Sequence, residues 1–366
     1  MIFLKKIEID SLEDLRKAVQ TAIELEHSTI PPYLTANFTL FNTGNDEISN
    51  LIGSVVGEEM LHLSISSNLL TAIGGHPILN KKGFVPTYPG PLPGGVDTGL
   101  TVPLEKFSKE LIQKVFMSIE EQEDPIDIKA MALEATESMT IGQFYEKIKK
   151  SLTALETEAH NQGKTIFTGD PSHQMTYEKF FPAKLLFPIK DLTSALNGID
   201  IIVDQGEGTS TDPFVNPTDS TVEEPAHYYR FQEIVKGKKL VSDPSAPNKY
   251  SYSGDPIPFN PAKIPNMWPN PKMENYPPDS LAYTNSKFFN YNYTCLLNSL
   301  HLAFNGQPEQ INEAMGLMFA IRLYALKLLS NPDPNHPGFM AGPSFEFVTD
   351  EDLNAVEKAA LESQTS

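Results

Sequence analysis

The sequence has little cysteine, few basic residues and no long apolar run. Cys295 is the single cysteine in 366 residues, which excludes a disulfide framework and a zinc–thiolate cluster. The 28 Lys and Arg residues face 47 Asp and Glu residues, giving a formal charge of −19. Such a surface repels nucleic acids and anionic membranes. No window reaches membrane-spanning length without charges, and the N-terminal run MIFLKKIEIDS is too short for a signal peptide. These absences predict a soluble, cytoplasmic protein that binds neither nucleic acid nor membrane.

Several common catalytic motifs are also missing. The sequence contains no GxGxxG, P-loop or GxSxG segment, so nucleotide binding and nucleophile-elbow hydrolysis have no support. Because cysteine ligands are lacking, any metal ion has to be held by histidines and carboxylates.

Prolines and glycines gather in segments that separate helix-like stretches. In those stretches apolar residues recur at steps of three and four, which predicts amphipathic helices. The predicted helices cover 11–41, 46–73, 104–117, 141–160, 191–205, 221–235, 286–304 and 308–330. Two hairpins (11–75 and 191–236), a crossover insertion (76–190) and a C-terminal helical extension (280–350) predict one domain over 1–366. This arrangement is typical of a mainly α, ferritin-like four-helix bundle with additional C-terminal helices and loops.

The first hairpin carries acidic and histidine residues on its apolar faces. Glu26 lies in the apolar stripe of the first helix, where an unpaired carboxylate is costly. The segment EEMLH supplies Glu59-x-x-His62, and residues three apart share one helix face. The midpoint of positions 26 and 59 falls inside the turn FNTGND, so an antiparallel hairpin places them at the same level. This register predicts that Glu26, Glu59 and His62 meet.

The second hairpin offers a weaker set. Glu207 continues the stripe of the 191–205 helix, and EPAH supplies Glu224-x-x-His227. The midpoint of 207 and 227 falls inside FVNPTD, so these levels match as well. The alternatives are open: Glu207 as a solvated loop residue, His227 as a core histidine, and Glu224 as the third residue of a capping box that begins at Thr221.

A Glu from each of two helices and a Glu-x-x-His from each of two others form a di-metal carboxylate site. Carboxylates bridge hard cations, and imidazole adds a neutral nitrogen that suits iron or manganese. The pattern predicts two metal ions, iron first and manganese second. The predicted ligands are Glu26, Glu59, His62, Glu207, Glu224 and His227.

Two further residues are candidates for a catalytic role. Tyr33 lies on the same apolar stripe as Glu26. It either donates a hydrogen bond at the site, serves as a radical-capable neighbour, or only packs in the core. Arg230, one turn after His227, either holds a substrate carboxylate or pairs with Glu233 or another acid. Pro31 and Pro32 predict a kink in the first helix one turn after Glu26.

Several segments resemble one protein family. LEHSTIPPYLTA, GEEMLHLSISSNLLTAIGGHP, PTYPGPLPGG, DQGEGT and HYYRFQEI are similar to the ferritin-like domain named after iminophenyl-pyruvate dimer synthase, over roughly residues 10–350. That domain is associated with violacein and chromopyrrolic acid pathways. The resemblance implies a ferritin-like bundle and a metal-dependent oxidation of a small amino-acid-derived imine in secondary metabolism.

Two other functions are compatible with the same pattern. A ferritin-type protein would take up metal without substrate turnover, and a degenerate bundle would serve as a helical scaffold for a partner. A homodimer is compatible with all three functions.

Overall fold

Helices are the main regular structure in the computed structural model, which describes residues 4–94, 100–121, 138–176, 178–207, 212–215, 224–246, 248–349 and 351–352. The α-helices are α1 (Leu12–Phe38), α2 (Asp46–Ala72), α3 (Lys109–Leu111), α4 (Met117–Ile119), α5 (Ile141–Asn161), α6 (Leu192–Glu207), α7 (His227–Lys236), α8 (Leu281–Phe304) and α9 (Ile311–Leu329). A π-helix, Ile112–Phe116, joins α3 to α4, and 3₁₀ turns cover Pro171–His173, Pro261–Lys263, Met273–Asn275 and Pro308–Gln310. The predicted mainly α class is confirmed.

Strands are short and antiparallel. The pairs are β1 (Leu4–Lys5) with β2 (Ser138–Met139), β3 (Phe214–Val215) with β4 (Glu224–Pro225), and β5 (Val241–Ser242) with β6 (Tyr250–Ser251). Across the described ranges, no helix combines the length and the apolar character that crossing a membrane requires.

The α1–α2 hairpin follows the sequence prediction closely. Ser11 caps α1, and its hydroxyl accepts a hydrogen bond from the Asp14 amide at 3.2 Å, as expected for an N-cap serine. Gly74 follows the end of α2 with a φ of 71°, a left-handed conformation that favours glycine. The Arg16 guanidinium donates to the Ile73 carbonyl at 2.8 and 3.0 Å. This contact joins the start of α1 to the end of α2, as an antiparallel pair requires.

The two prolines lie inside α1 and do not end it. Pro31 and Pro32 lack the amide hydrogens that would bond the carbonyls of His27 and Ser28, yet the helix runs unbroken from Leu12 to Phe38. The buried Tyr88 hydroxyl donates to the Ser28 carbonyl at 2.6 Å. One carbonyl freed by the prolines therefore regains a partner from outside the helix. The kink stays a prediction.

Tyr88→Phe is expected to destabilise the protein by about 1–3 kcal/mol, because it leaves the buried Ser28 carbonyl without a donor. Urea unfolding would measure the loss. Tyr291→Phe, at an exposed tyrosine of α8, is the matched control and should change little. Equal stability of the two variants would show that the Tyr88 hydroxyl does not support the helix.

The long helices form a ring. Helix α1 packs on α2, α2 on α6, α6 on α5, and α5 on α1, while α7 packs on α2, α6 and the π-helix. Helix α5, which the sequence assigns to the crossover insertion, thus stands beside α1. The α8–α9 pair packs on the other side, with α8 against α2 and α9 against α1. Helices α1 and α2 therefore each have two covered faces.

The predicted start of the fourth bundle helix is wrong. We expected a helix over 221–235 with Thr221 as its cap, but Glu224 and Pro225 form β4 and α7 begins at His227. The reason is steric, since a residue before proline is disfavoured in the α conformation. Thr221 lies outside the described residues.

Candidate metal centre

Buried carboxylates and histidines meet where α1, α2 and α7 approach the end of α4. Glu26, Glu59 and His62 form one group, and Glu59, Glu120 and His227 form a second. Within each group the candidate ligand atoms all lie within 4.8 Å of one another. Glu59 belongs to both groups, as expected of a carboxylate that bridges two cations.

Local structure explains how each side chain reaches the cluster. Glu59 and His62 lie three residues apart on α2 and so share a face. His227 is the first residue of α7. Glu120 follows α4 directly, after the π-helix that ends at Phe116. A π turn inserts a residue into a helix and is frequent at functional sites.

The first histidine is held from outside the cluster. His62 Nε2 lies 2.9 Å from Gln205 Oε1 of α6, and its Nδ1 lies 3.4 Å from Glu26 Oε2. The Gln205 carbonyl oxygen is an acceptor, so Nε2 carries the proton. Nδ1 is therefore the ring nitrogen that faces the carboxylates.

The second histidine has the same arrangement with a charged partner. His227 Nε2 lies 2.8 Å from Glu58 Oε2, and Glu58 Oε1 accepts from Arg230 Nη2 at 2.8 Å. His227 Nδ1 lies 3.0 Å from Glu59 Oε1 and 3.4 Å from Glu120 Oε2, without the angles of a hydrogen bond. Metal-bound histidines commonly donate their other N–H to a carboxylate in this way.

Hydroxyl groups hold the carboxylates. Tyr145 hydrogen bonds to Glu26 Oε1, Tyr33 hydrogen bonds to Glu120 Oε1, and Thr29 Oγ1 lies 2.8 Å from Glu59 Oε2. The remaining oxygens are Glu26 Oε2, Glu59 Oε1 and Glu120 Oε2, which face an imidazole Nδ1. Each carboxylate is thus fixed through one oxygen and presents the other to the centre.

The electrostatics of the cluster favour a cation. Burial and the nearby Glu120 raise the pKa of Glu59 to about 7. Burial lowers the pKa of His62 and of His227, but the surrounding carboxylates outweigh it and raise both. Protons therefore compensate the crowded carboxylates, and a bound metal ion would displace them. Carboxylate bridging and imidazole nitrogens are a donor set that fits two divalent ions.

The structure brings together four of the predicted ligands, Glu26, Glu59, His62 and His227. Glu224 is not among them: its half-exposed carboxylate lies in β4, 3.4 Å from Arg230 Nη2. The strand directs this side chain away because the predicted helix does not begin before His227. The side chain of Glu207, the last residue of α6, lies outside the described part of the chain.

The two predicted catalytic residues, Tyr33 and Arg230, each hydrogen bond to a carboxylate in or beside the cluster. The Tyr33 hydroxyl is bonded to Glu120. The buried Arg230 guanidinium donates to the Pro225 carbonyl at 2.6 Å, to Ser54 Oγ at 3.0 Å and to Glu58. Its Nε, Nη1 and Nη2 atoms are thus each bonded to protein, and its ion-pair partners are Glu58 and Glu224 rather than Glu233.

Glu120 belongs to the cluster but is not among the residues predicted from the sequence. Its signal is the acidic pair in SIEEQ, directly after an apolar helical stretch with Ile112, Phe116 and Ile119 buried. Glu58, Gln205 and Tyr145 were also missed, and nothing in their spacing distinguishes them from surface residues.

A small cavity adjoins the cluster. Its volume is about 60 Å³, enough for roughly four to six water-sized molecules at 10–15 Å³ each. Apolar side chains enclose much of it, namely Leu25, Leu92, Ile119, Ile141, Ile202 and Val203. The centre therefore combines a polar floor with largely apolar walls.

Glu58→Gln is expected to weaken metal binding by about 10–100-fold, the usual effect of losing the carboxylate behind a metal-bound histidine. Competition with a chromophoric chelator would measure the affinity. Glu47→Gln, at an exposed glutamate of the same helix, is the control. Unchanged affinity in Glu58→Gln would show that this carboxylate does not orient His227.

Known proteins share this architecture. A family model described as ferritin-like matches residues 19–236. The crystal structure of a ferritin-like protein from Caulobacter vibrioides superimposes with a TM-score of 0.56 and 20% identity, covering 92% of this chain and 100% of the other. At this identity the likeness shows the fold alone. No curated protein matches, and the narrower likeness to iminophenyl-pyruvate dimer synthases stays a prediction.

Proposed function

Because the chain belongs to the ferritin-like family, we propose that its carboxylate–histidine cluster holds two metal ions and that the protein is a metal-dependent oxidoreductase. The proposed ligands are Glu26, Glu59, His62, Glu120 and His227. The observation that carries the proposal is the sharing of Glu59 by two groups that each contain a histidine. Iron is the first choice of metal and manganese the second.

The chain's own residues prepare the site. Gln205 and Glu58 fix the orientation of the two imidazoles, and the hydroxyls of Thr29, Tyr33 and Tyr145 fix the carboxylates. When bound, the metal pair supplies the redox chemistry for oxidising a small organic molecule. The apolar walls of the adjoining cavity limit the access of water to that reaction.

The proposed substrate is a small amino-acid-derived imine of secondary metabolism, oxidised by two electrons with dioxygen or peroxide as the acceptor. The sequence segments similar to the iminophenyl-pyruvate dimer synthase domain support this choice. A homodimer stays a prediction, which light scattering of the purified chain would check.

The test is dioxygen consumption by protein loaded with Fe(II) under anaerobic conditions. Imines generated from aromatic amino acids are supplied in turn, with metal content measured on the same samples. Consumption that depends on both iron and one imine is the expected result. Iron uptake without substrate-dependent consumption would instead favour a metal-binding protein without turnover, and no uptake would favour a helical scaffold.

A further inference from the structure

A second cavity lies on the opposite side of the α1–α2 hairpin, where α8 and α9 cover it. Its volume is about 300 Å³, and its lining is apolar apart from His27, Asn37, Tyr293 and Arg322. It shares no lining residue with the cavity at the metal centre. A pocket of this size falls within the range that binds small molecules.

The cavity follows one face of α1 as a channel. On this helix and the turn after it, the lining residues run from His27 through Ile30, Leu34 and Phe38 to Phe41. They recur at steps of three and four and so share one face of the helix. The cavity therefore extends along the helix axis, in the direction that a bound aliphatic chain would take.

Glycines on α2 keep this channel open. Gly53 and Gly57 lie one turn apart and both line it. A Cβ at Gly57 would meet nothing within 4 Å, and one at Gly53 would meet only Asn37 Nδ2 at 3.5 Å. Glycine costs a helix interior about 1 kcal/mol relative to alanine, so helix formation does not explain them. Met60, Met315 and Met318 add flexible apolar walls.

The two ends of the channel differ in charge and exposure. At the exposed end the Arg322 guanidinium lies 4.0 Å from the centre of the Phe41 ring, and no acidic partner lies beside it among the described residues. This is a free cation in a chain of net charge −19. At the buried end His27 Nε2 lies 2.7 Å from the Tyr293 hydroxyl, while His27 Nδ1 has no hydrogen-bond partner within the described ranges.

We propose that this cavity binds a single-chain aliphatic carboxylate. The carboxylate pairs with Arg322 at the rim, and the chain passes Gly57 on its way toward His27. The unsatisfied Nδ1 of His27 accepts or donates a hydrogen bond to an oxygen at the far end of the chain. This ligand site goes beyond the proposed oxidoreductase function and does not depend on it.

Calorimetric titration of the metal-loaded full chain with decanoate tests the proposal. Saturable binding at one site per chain is expected. Gly57→Leu should abolish it by filling the channel, and leucine is also the better helix former. Gly316→Leu, at an exposed glycine of α9 that likewise faces open space, is the matched control and should bind normally.

Charge and tail chemistry are tested separately. Arg322→Gln is expected to weaken decanoate binding roughly fivefold, the upper range for an exposed ion pair, and decyltrimethylammonium should bind more weakly still because its charge is repelled. 10-Hydroxydecanoate should bind at least as well as decanoate, whereas a hydroxyl buried without a partner would weaken binding by roughly 5- to 150-fold. Absent binding, or equal binding by Gly57→Leu or by the cation, would overturn the proposal.

Discussion

Glu59→Gln is expected to abolish binding of both metal ions while leaving a folded and more stable metal-free protein. Glu59 is the carboxylate that both candidate ligand groups share, so its loss removes an oxygen from each ion. Glutamine has the same shape and keeps an oxygen for the Thr29 hydroxyl, but it cannot bridge two cations as an anion. Elemental analysis after reconstitution with Fe(II) would give the metal content.

The same substitution that abolishes metal binding should raise the stability of the metal-free protein. Burial and Glu120 raise the pKa of Glu59 to about 7, so the folded state resists its ionisation. Above the unfolded-state pKa of the Glu59 carboxyl, its raised folded-state pKa lowers the free energy of unfolding, and this loss is fully present at pH 8. Removing that buried charge should therefore stabilise the metal-free protein by roughly 1–2 kcal/mol, measured by urea unfolding at pH 8.

With metal bound, the wild type should become more stable than Glu59→Gln. Ions that bind only the folded state stabilise it by about 3–4 kcal/mol at 100–1,000 times the dissociation constant, and only the wild type should gain this. Glu47→Gln, at an exposed glutamate whose Oε1 lies 3.1 Å from Lys239 Nζ, should behave as wild type. Two ions retained in Glu59→Gln would contradict the proposed site.

The α1–α2 half of the centre could be predicted because local patterns determine it. Apolar periodicity places Glu26, Glu59 and His62 on inward faces, and the short turn between the helices fixes their relative level. The level argument needs two continuous helices joined tightly, and α1 and α2 meet that condition.

The other half could not be predicted because long-range pairing decides it. Pro225 joins a strand instead of a helix, so the spacing of Glu224 and His227 no longer places them on one face. Glu120 replaces the expected acid from a segment whose position depends on the packing of the π-helix against α7. A sequence records neither contact. His227 lies in the cluster, although the helical spacing that suggests it is absent, and its role as a ligand stays a prediction.

One arrangement recurs around the cluster and links the two halves. Every carboxylate is fixed by a hydroxyl at one oxygen, and every imidazole is fixed at Nε2 by a side chain outside the two ligand groups. These supporting residues come from α1, α2, α5 and α6, so the bundle has to be complete before the ligands are aligned. Tyr33 and Arg230 fit this arrangement as positioning residues: one holds Glu120 and the other holds Glu58.

Glu120→Gln is expected to cost the protein one of its two metal ions, whereas Glu224→Gln should keep both. Glu120 serves only the group with Glu59 and His227, so the group with Glu26, Glu59 and His62 stays intact. Glu224 is half-exposed, paired with Arg230 and outside both candidate ligand groups. Metal content and a chelator titration would show one lost binding phase in Glu120→Gln and none in Glu224→Gln.

If only Glu224→Gln lost an ion, Glu224 would be the ligand in place of Glu120, as the Glu-x-x-His pair in the sequence predicts. Loss of both ions in Glu120→Gln would mean that the two sites fill only together, through the carboxylate of Glu59 that they share.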